Sequence, residues 1–509
     1  MPPDVLREPG QAPATAPPGR LQVVDFLARG LGNRSYLVAA GDRALMVDPQ
    51  RDVESYLVAA EAHGVRLTHV LETHVHNDYV SGGLELARRS GATLALPDGS
   101  GARYPHHPMR DGDLLESGSL RIHALHTPGH TPEHTSYLVE RGDGEPALLF
   151  SGGSLLAGSA GRTDLAGPSW TDRLTAAQFG SVRRLATLPG DTVLHPTHGP
   201  GSFCTAASRP GDGVGTIAGE RETNSALLDD DPLAFARRQL RGLLRFPAYY
   251  AHMAPINRSG PRPLGAIVSP QELEPDELAS LTAAGIPVID GRPRAAFAEA
   301  HVPGALNVEL DEAFASYIGW LLPFNSPLAL VLDPSQDARE AVRQLARIGF
   351  DRVRGVLRGL DGWASDARPL QSIGRASVAE LRRELGGAHP PLVLDVRQPA
   401  EWEDGVIPGS VLRFVADLGD PATWLPADRP VWVICRSGHR AAIGASLLAG
   451  AGFDATMVDA GGVADALRRG RREGSGTRSR TPSPLRNNAQ LGRGNPGRTA
   501  GNRHQQGYS

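Results

Sequence analysis

The chain has 509 residues, a formal net charge of −4, and 40% hydrophobic and 21% charged residues. This composition is typical of a globular protein of several domains, and it excludes a global electrostatic preference for nucleic acid or for an acidic membrane. No stretch approaches the roughly 20 consecutive apolar residues of a membrane span, so we expect no transmembrane helix. The two cysteines, Cys204 and Cys435, are too few for a disulfide framework, which favours a reducing, cytoplasmic location.

Changes in composition divide the chain into six segments. The first residues are rich in Pro and Ala and lack the apolar core of a secretory signal. Near the other end, large apolar residues almost disappear, and such a stretch buries too little surface to fold. We predict a disordered leader at 1–20, a first domain at 21–225, a helical connector at 226–264, further domains at 265–370 and 371–467, and a disordered Arg-rich tail at 468–509. We expect a solvated tail rather than an RNA-binding element.

Histidines follow apolar strands throughout the first domain. His74 and His76 are separated by one residue directly after such a strand, and Asp78 follows two positions later. His130 lies in the motif PGHT and His198 in the motif THG, each also after an apolar strand. Side chains from several loops can converge on one point, as metal ligands must, so this pattern favours metal binding over separate structural histidines.

The order HxHxD, PGHT, THG resembles the metallo-β-lactamase superfamily of αββα hydrolases and oxidoreductases over about the first 220 residues. The stretches THVHNDYVSGG at 73–83 and GRTDL at 161–165 are most similar to its persulfide dioxygenase branch, whose members are often fused to rhodanese domains. The resemblance implies one iron(II) held by two histidines and one aspartate, with His74 and His130 as the histidines. Such a facial triad suits an iron that binds dioxygen and a sulfur anion side by side.

The aspartate of that triad is missing. The chain reads FSGGS at 150–154, so Gly153 stands where the family has a carboxylate. His134 and Asp164 are candidate substitutes. Tyr79 stands where two-metal hydrolases have a further histidine, so we favour a single metal: iron(II), or else zinc or manganese. The alternative two-metal site would use His74, His76, Asp78, His130 and His198.

An internal repeat defines the second half of the chain. The pattern IDGR at 289–292 recurs as LDVR at 394–397, and VPGA at 302–305 recurs as IPGS at 407–410. Each copy alternates apolar strands with helical stretches, which predicts two successive α/β domains with parallel sheets. The whole chain is therefore predicted to be an α/β multidomain protein, in which an αββα sandwich precedes two rhodanese-like domains.

A cysteine loop distinguishes the last domain. The apolar strand at 431–434 ends at Cys435, and an apolar helix follows at 441–448. This C-R-S-G-x-R loop resembles the rhodanese active site, and its C-x4-R spacing is shorter than that of phosphatases. Backbone N–H groups at a helix N-terminus, together with two arginines, stabilise an anion and favour the thiolate. The resemblance implies a catalytic loop of Cys435, Arg436, Ser437, Gly438, His439 and Arg440.

Two other parts of the chain are not expected to transfer sulfur: the first repeat and Cys204. The strand at 328–332 in the first repeat runs into Asp333 rather than a cysteine. That domain therefore cannot carry a persulfide, and we predict a structural or docking role for it. Cys204 lacks an adjacent basic cluster, and we predict that it is structural, with a redox role as the alternative because it follows His198 by six residues.

These patterns predict an enzyme of sulfur metabolism. Its metal domain would oxidise a low-molecular-weight thiol persulfide, formed in hydrogen sulfide metabolism, to sulfite and thiol. Cys435 would exchange sulfane sulfur with sulfite, thiosulfate or another persulfide. One alternative is a metal-dependent thioester hydrolase resembling glyoxalase II, and another is a pseudoenzyme whose metal domain delivers sulfur carriers to Cys435.

Overall fold

A computed structural model describes residues 21–141, 146–206, 215–241, 243–366, 368–426 and 428–468. The described residues lie in one compact unit that ends at Arg468. The leader predicted at 1–20 and, apart from Arg468, the tail predicted at 468–509 lie outside the described residues. Among the described helices, none is long and apolar enough to cross a membrane.

A six-stranded sheet opens the first domain. In order across the sheet, its strands are β1 (Gln22–Ala28), β2 (Asn33–Ala40), β3 (Arg43–Val47), β4 (Arg66–Leu71), β5 (Thr93–Pro97) and β6 (His107–Met109). The first three strands are antiparallel, and the β2–β3 turn contains Gly41 with φ +64°, a conformation that glycine adopts without strain. The last three run parallel, because α1 (Glu54–Ala62) and α2 (Gly83–Ser90) cross over before β4 and β5.

A second six-stranded sheet packs on the first. Its strands are β7 (Leu114–Ser117), β8 (Leu120–His126), β9 (Thr135–Arg141), β10 (Leu148–Gly152), β13 (Val193–Pro196) and β14 (Gly215–Thr216), and a small pair β11 (Leu155–Leu156) and β12 (Ser159–Ala160) follows β10. The long helix α3 (Pro168–Ala186) and the short α4 (Ile217–Thr223) lie beside it, followed by a 3₁₀ turn at Ser225–Leu227. β10 and β13 are parallel, since α3 connects them.

Alternating side chains of the strands fill the spaces between these layers. On β2, Tyr36 and Val38 pack against residues of the second sheet, whereas Leu37 packs with residues of α1 and α2. On the far side, Leu149 of β10 packs against α3. These cores place one helical layer on each outer face, so the predicted αββα sandwich is confirmed.

The connector contains two helices. α5 (Pro232–Leu240) begins with Pro232 at its first position, and its N-cap Asp231 accepts a hydrogen bond from the backbone of Ala234. α6 (Tyr250–Ser259) follows and packs against the first domain. Within the connector predicted at 226–264, these two helices cover Pro232–Leu240 and Tyr250–Ser259.

Two parallel sheets form the rest of the described chain. The second domain contains β15 (Val288–Asp290), β16 (Leu306–Asn307), β17 (Leu328–Leu332) and β18 (Val353–Arg358), in the order β16-β15-β17-β18, with α7 (Pro275–Ala283), α8 (Arg294–Glu299), α9 (Phe314–Leu321), α10 (Ala338–Arg347) and α11 (Asp361–Ser365). The third contains β19 (Gly374–Ser377), β20 (Leu392–Asp395), β21 (Val411–Leu412), β22 (Val431–Ile434) and β23 (Ala455–Ala460), in the order β19-β23-β22-β20-β21, with α12 (Val378–Leu385), α13 (His439–Gly450), α14 (Val463–Leu467) and 3₁₀ turns at Pro399–Asp404, Val415–Asp417 and Pro421–Thr423. All strand pairs within these two sheets are parallel, as predicted.

The repeat extends to individual hydrogen bonds. Arg292 reaches back to Asp290 and donates to the carbonyl of Ala300 at 2.8 Å. Arg397 makes the same contacts with Asp395 and donates to the carbonyl of Gly405 at 2.7 Å. Each buried arginine thus ties the end of a strand to the turn that follows the next helical segment.

Two bidentate ion pairs join the first domain to the second. Arg347 binds both carboxylate oxygens of Asp52, at 2.8 and 2.7 Å. Arg51 binds Asp351 in the same bidentate manner, at 2.6 and 3.0 Å. The backbone carbonyl of Arg347 also accepts a hydrogen bond from the N–H of Val80, just beyond the HxHxD motif. The second domain therefore supports the loop that carries the candidate metal ligands.

Candidate functional site

Three loops bring predicted histidines into one buried pocket. His74 follows β4, His130 lies between β8 and β9, and His198 follows β13. The ring centroids are 4.9 Å apart for His74 and His130, 5.1 Å for His130 and His198, and 5.4 Å for His74 and His198. The Nε2 atoms of His74 and His198 are 3.4 Å apart. Each ring is at most 1% exposed.

A polar partner holds the Nδ1 atom of each of these rings. The hydroxyl of Thr73 lies 2.8 Å from Nδ1 of His74, and it donates in turn to Asp48. Nδ1 of His130 donates to the carbonyl of Arg162 at 2.8 Å. Nδ1 of His198 lies 2.9 Å from the side-chain oxygen of Asn33. Outer hydrogen bonds of this kind are what orients histidine ligands in metal sites.

The pocket keeps these three histidines neutral. Burial is the main cause, and neighbouring histidines add to it: together they lower the pKa of His130 and of His198 to about 3, and that of His74 well below its ordinary value. Metal ligands must be unprotonated imidazoles, so this environment suits coordination. Nε2 of His130 is buried without any partner among the described residues.

His76 has a different environment. Its Nε2 atom lies 2.9 Å from Glu72 and 3.3 Å from Asp48. Although burial lowers the pKa of His76, these carboxylates raise it to about 10. Its ring stacks on Tyr79, whose hydroxyl donates to the backbone of Asp48. The two carboxylates thus favour the protonated form of His76, and Tyr79 fills the place next to its ring.

The space of the missing carboxylate is already occupied. A Cβ atom added at Gly153 would lie 2.2 Å from Cδ2 of His130, far inside van der Waals contact. The backbone N–H of Gly153 donates to Nε2 of His134 at 2.9 Å, and Nδ1 of His134 lies 2.9 Å from the hydroxyl of Thr127. Both ring nitrogens of His134 are therefore engaged in hydrogen bonds.

The two candidate aspartates lie in different settings. Asp164 forms a bidentate ion pair with Arg162 at 2.6 and 2.7 Å and is not brought into the histidine pocket. Asp78 lies against the pocket: it accepts a hydrogen bond from Asn33 at 2.8 Å and approaches Nδ1 of His198 at 3.5 Å. The other carboxylate oxygen of Asp78 has no partner among the described residues. Burial raises the pKa of Asp78 despite the nearby His76 charge.

Cys204, which we predicted to be structural, also lies in this pocket, as its position six residues after His198 allowed. It is fully buried, and its sulfur lies within 4.8 Å of ring nitrogens of His130 and His198. Its other polar neighbours include the hydroxyl of Tyr250, at 3.9 Å, and the carboxylate of Asp78. No CxxC or CxH signature marks this residue, so the pattern alone could not identify it.

The connector supplies further support that the sequence did not reveal. The Asn257 side chain donates to the carbonyls of His76 and Tyr79, both at 2.9 Å, and accepts from the N–H of Ser81 at 2.9 Å. The hydroxyl of Tyr249 donates to the carbonyl of Asp78 at 2.9 Å. α6 therefore fixes the backbone of the HxHxD loop.

These residues fit one metal ion better than the implied iron triad. The rings of His74, His130 and His198 lie close together, and Nε2 of His130 has a free buried lone pair, as a metal site requires. The described residues place no aspartate at the position of Gly153, and a carboxylate there would collide with His130. The two-histidine, one-aspartate arrangement implied by the sequence resemblance is therefore absent.

A second candidate site surrounds Cys435 at the N-terminus of α13. The backbone N–H of Gly438 donates to the sulfur of Cys435 at 3.2 Å. Gly438 has φ +94°, and a Cβ there would lie 2.8 Å from the backbone of Asp459. A Cβ at Gly462 would lie 2.0 Å from the carbonyl of Arg436. Both glycines are needed for this tight loop, which presents backbone donors to the sulfur.

The second domain contributes to the Cys435 loop although it lacks a cysteine. Arg294 donates to the carbonyl of Ser437 at 3.0 Å. Nδ1 of His439 lies 3.1 Å from a carboxylate oxygen of Asp311, and its ring packs against Tyr317 at 4.8 Å. The two α/β domains therefore build this site together.

The arginines of the loop have different partners. Arg440 forms a bidentate ion pair with Glu401 and is turned towards that carboxylate. Arg436 is exposed at the rim, without an ion-pair partner among the described residues. The positive charge offered to an incoming anion therefore comes mainly from Arg436 and the helix N-terminus.

Comparisons with known proteins identify two families along the chain. The family model of the metallo-beta-lactamase superfamily matches residues 28–198, and that of the rhodanese-like domain matches residues 274–366 and 377–466. A hydroxyacylglutathione hydrolase of Methylobacillus flagellatus is 33% identical over 168 residues, which make up 33% of this chain and 62% of that protein. The chain thus spans less than two thirds of the length of this relative.

Two solved structures are similar to the chain. One is a metallo-beta-lactamase from Staphylococcus aureus subsp. aureus COL, with 26% identity and a TM-score of 0.58, covering 66% of this chain and 99% of that one. The other is ETHE1 from Myxococcus xanthus, with 28% identity and a TM-score of 0.40, covering 47% of this chain and 98% of that one.

Proposed function

Because the chain belongs to the metallo-beta-lactamase superfamily through its first domain and to the rhodanese-like proteins through its second and third, we propose that it is an enzyme of sulfur metabolism. In this proposal Cys435 transfers sulfane sulfur, and the histidine pocket binds a metal for the oxidation of a low-molecular-weight thiol persulfide. The observation that carries the proposal is the hydrogen bond from the Gly438 N–H to the Cys435 sulfur at the start of α13.

The proposed sulfur transfer has two steps. The Cys435 thiolate attacks the outer sulfur of thiosulfate, a new S–S bond forms, and sulfite leaves with the electron pair of the broken S–S bond. A thiolate or sulfite then attacks the terminal sulfur of the Cys435 persulfide, and the Cys435 thiolate is the leaving group. The same chemistry accepts sulfur from a thiol persulfide.

The loop supports both charged states of this cycle. The Gly438 N–H and the N-terminal end of α13 stabilise negative charge on the thiolate and on the persulfide. The exposed side chain of Arg436 would attract anionic donors such as thiosulfate to the rim. The proposal includes a cytoplasmic location, where the thiol of Cys435 would stay reduced.

For the first domain we propose a single bound metal, held by His74, His130 and His198. Iron(II), zinc or manganese could be accommodated by imidazole ligands, and a bound iron would supply a site for dioxygen and the sulfur anion together. Thr73, Arg162 and Asn33 orient the three rings.

Thioester hydrolysis is the alternative suggested by the hydroxyacylglutathione hydrolase relatives. We favour persulfide oxidation over it for two reasons. Two-metal hydrolysis relies on a carboxylate that bridges the metals, and Gly153 cannot provide one. Moreover, a persulfide is a shared intermediate of the two proposed sites, and fusion raises the effective concentration of one site at the other.

Two assays test the proposal. We expect thiosulfate and cyanide to give thiocyanate with the wild type, and we expect the Cys435→Ser variant to lose this activity. For the first domain, we expect about one metal per chain by mass spectrometry and oxygen uptake on glutathione persulfide. His74→Ala should lose both, whereas the exposed His107→Ala should retain both. A metal-free protein without oxygen uptake would overturn the metal half of the proposal and leave sulfur transfer standing.

A further inference from the structure

Three buried groups with metal-binding atoms meet at the edge of the histidine pocket. His130, His198 and Cys204 each offer one ligand atom, and these atoms lie within 4.8 Å of one another. All three side chains are at most 1% exposed. The Nε2 atom of His130 is buried and has no hydrogen-bond partner among the described residues. A free buried lone pair is costly unless something binds it.

One residue positions two of these groups. The carbonyl of Arg162 accepts the Nδ1–H of His130 at 2.8 Å, which turns Nε2 of that ring into the pocket. The N–H of Arg162 donates to the carbonyl of Cys204 at 2.9 Å, and an isolated β-bridge joins Gly161 to Thr205. The segments of His130 and Cys204 are therefore held in fixed register with each other.

We propose that Cys204 is a metal ligand, and that Cys204, His130 and His198 form a site for a thiophilic divalent cation such as zinc. This proposal rests on metal binding by the first domain, and it names the anionic ligand of that metal. A cysteine thiolate supplies the negative charge that Gly153 cannot, from a segment that follows His198 rather than from β10.

The distances suit such a site. Zinc binds nitrogen at about 2.0–2.1 Å and thiolate sulfur at about 2.3 Å, so its tetrahedral ligands lie roughly 3.5 Å apart. Small side-chain rotations bring atoms that lie within 4.8 Å of one another to that separation. Cys204, His130 and His198 leave a fourth position for His74, whose Nε2 atom lies 3.4 Å from that of His198, so this ligand set adds Cys204 to the three histidines proposed above. The unpartnered oxygen of Asp78 lies beside the pocket. On metal binding the Cys204 thiol loses its proton to solvent and the sulfur–metal bond forms, without a redox change.

The chain offers an unusually direct test, because Cys435 is its only other thiol. The full-length protein is stripped with a chelator and titrated with cobalt(II), whose thiolate complexes show a charge-transfer band in the near ultraviolet. We expect this band in the wild type and in Cys435→Ser, and we expect its loss in Cys204→Ser. Cobalt affinity should fall at least tenfold in Cys204→Ser, since even outer partners of ligands cost about 10–100-fold.

A second measurement does not depend on how well the variant folds. X-ray absorption of the zinc-loaded wild type should show one sulfur neighbour at about 2.3 Å. Cobalt that binds without a thiolate band, or zinc without a sulfur neighbour, would overturn the assignment of Cys204 while leaving metal binding intact. A band lost in Cys435→Ser but kept in Cys204→Ser would also overturn it. Absence of any cobalt or zinc binding would overturn the metal half of the proposed function as well.

Discussion

Gly153→Ala is expected to destabilise the first domain by crowding His130. The backbone of Gly153 is not in the left-handed region, so alanine introduces no conformational strain there. Its Cβ atom would nevertheless lie 2.2 Å from Cδ2 and 2.8 Å from Nε2 of His130. Overpacking in a well-packed interior costs about 1–3 kcal/mol. Any aspartate at this position begins with the same Cβ, so the family carboxylate could not simply be restored.

The matched control is Gly180→Ala, on the exposed face of α3. Nothing lies within 4 Å of a Cβ at Gly180, so alanine should stabilise this helix by about 0.5–1 kcal/mol. In a domain of this size, 1 kcal/mol shifts the midpoint of thermal unfolding by about 2–4 °C. We expect Gly153→Ala to lower the midpoint by roughly 2–12 °C and Gly180→Ala to raise it slightly.

Scanning calorimetry would measure the midpoint of thermal unfolding of both variants. The protein is first treated with a chelator, so that a change in metal affinity does not contribute to the shift. Several domains unfold in this chain, so the comparison uses the transition that shifts when metal is added back. If Gly153→Ala raised the midpoint as Gly180→Ala does, His130 would not occupy the place of the missing carboxylate, and the reasoning about the site would be refuted.

The remaining predictions concern ion pairs. Arg347→Gln leaves the buried Asp52 with only its longer contact to Arg343, at 3.9 Å, and should cost about 2 kcal/mol. Arg339→Gln, in an exposed pair on the same helix, should change stability by less than about 0.5 kcal/mol. Urea unfolding would measure both variants, and equal effects would contradict the stabilising role of the Asp52 pair. Glu401→Gln should weaken the third domain at neutral pH. Although burial raises the pKa of Glu401, Arg440 lowers it overall, so the stability from this pair is present above the ordinary value of about 4.3 and is lost as pH falls through the lower folded pKa. The stability difference between wild type and variant should therefore vanish in acid, and a difference that persists there would contradict this cause.

Local sequence patterns were sufficient to predict the fold, the HxHxD loop and the Cys435 loop. The strand predicted at 431–434 is β22, and the helix predicted at 441–448 extends over His439–Gly450 because Gly438, with φ +94°, provides its N-terminal turn. The repeat predicted two parallel α/β domains, since apolar strands that alternate with helices leave few other arrangements. These features depend on residues close together in the sequence.

The site residues that could not be predicted from the sequence depend on contacts between distant segments. Cys204 approaches His130 because the backbone of Arg162 bonds to both residues, and no spacing rule expresses that. Asn257 and Tyr249 support the HxHxD loop from a connector that appeared to be only a linker. Glu401 pairs with Arg440 across the third domain, so the charge of that arginine could not be assigned to the cysteine loop from sequence spacing.

The measurement that tests the central claim most directly is the intact mass of the protein after incubation with thiosulfate. We predict the addition of one sulfur atom, removable by cyanide, and peptide mapping should place it on Cys435. Cys435→Ser should gain no sulfur, while Ser335→Ala, in the equivalent exposed loop of the second domain, should gain it as the wild type does. Sulfur added to Cys435→Ser, or mapped to Cys204 in the wild type, would contradict the account.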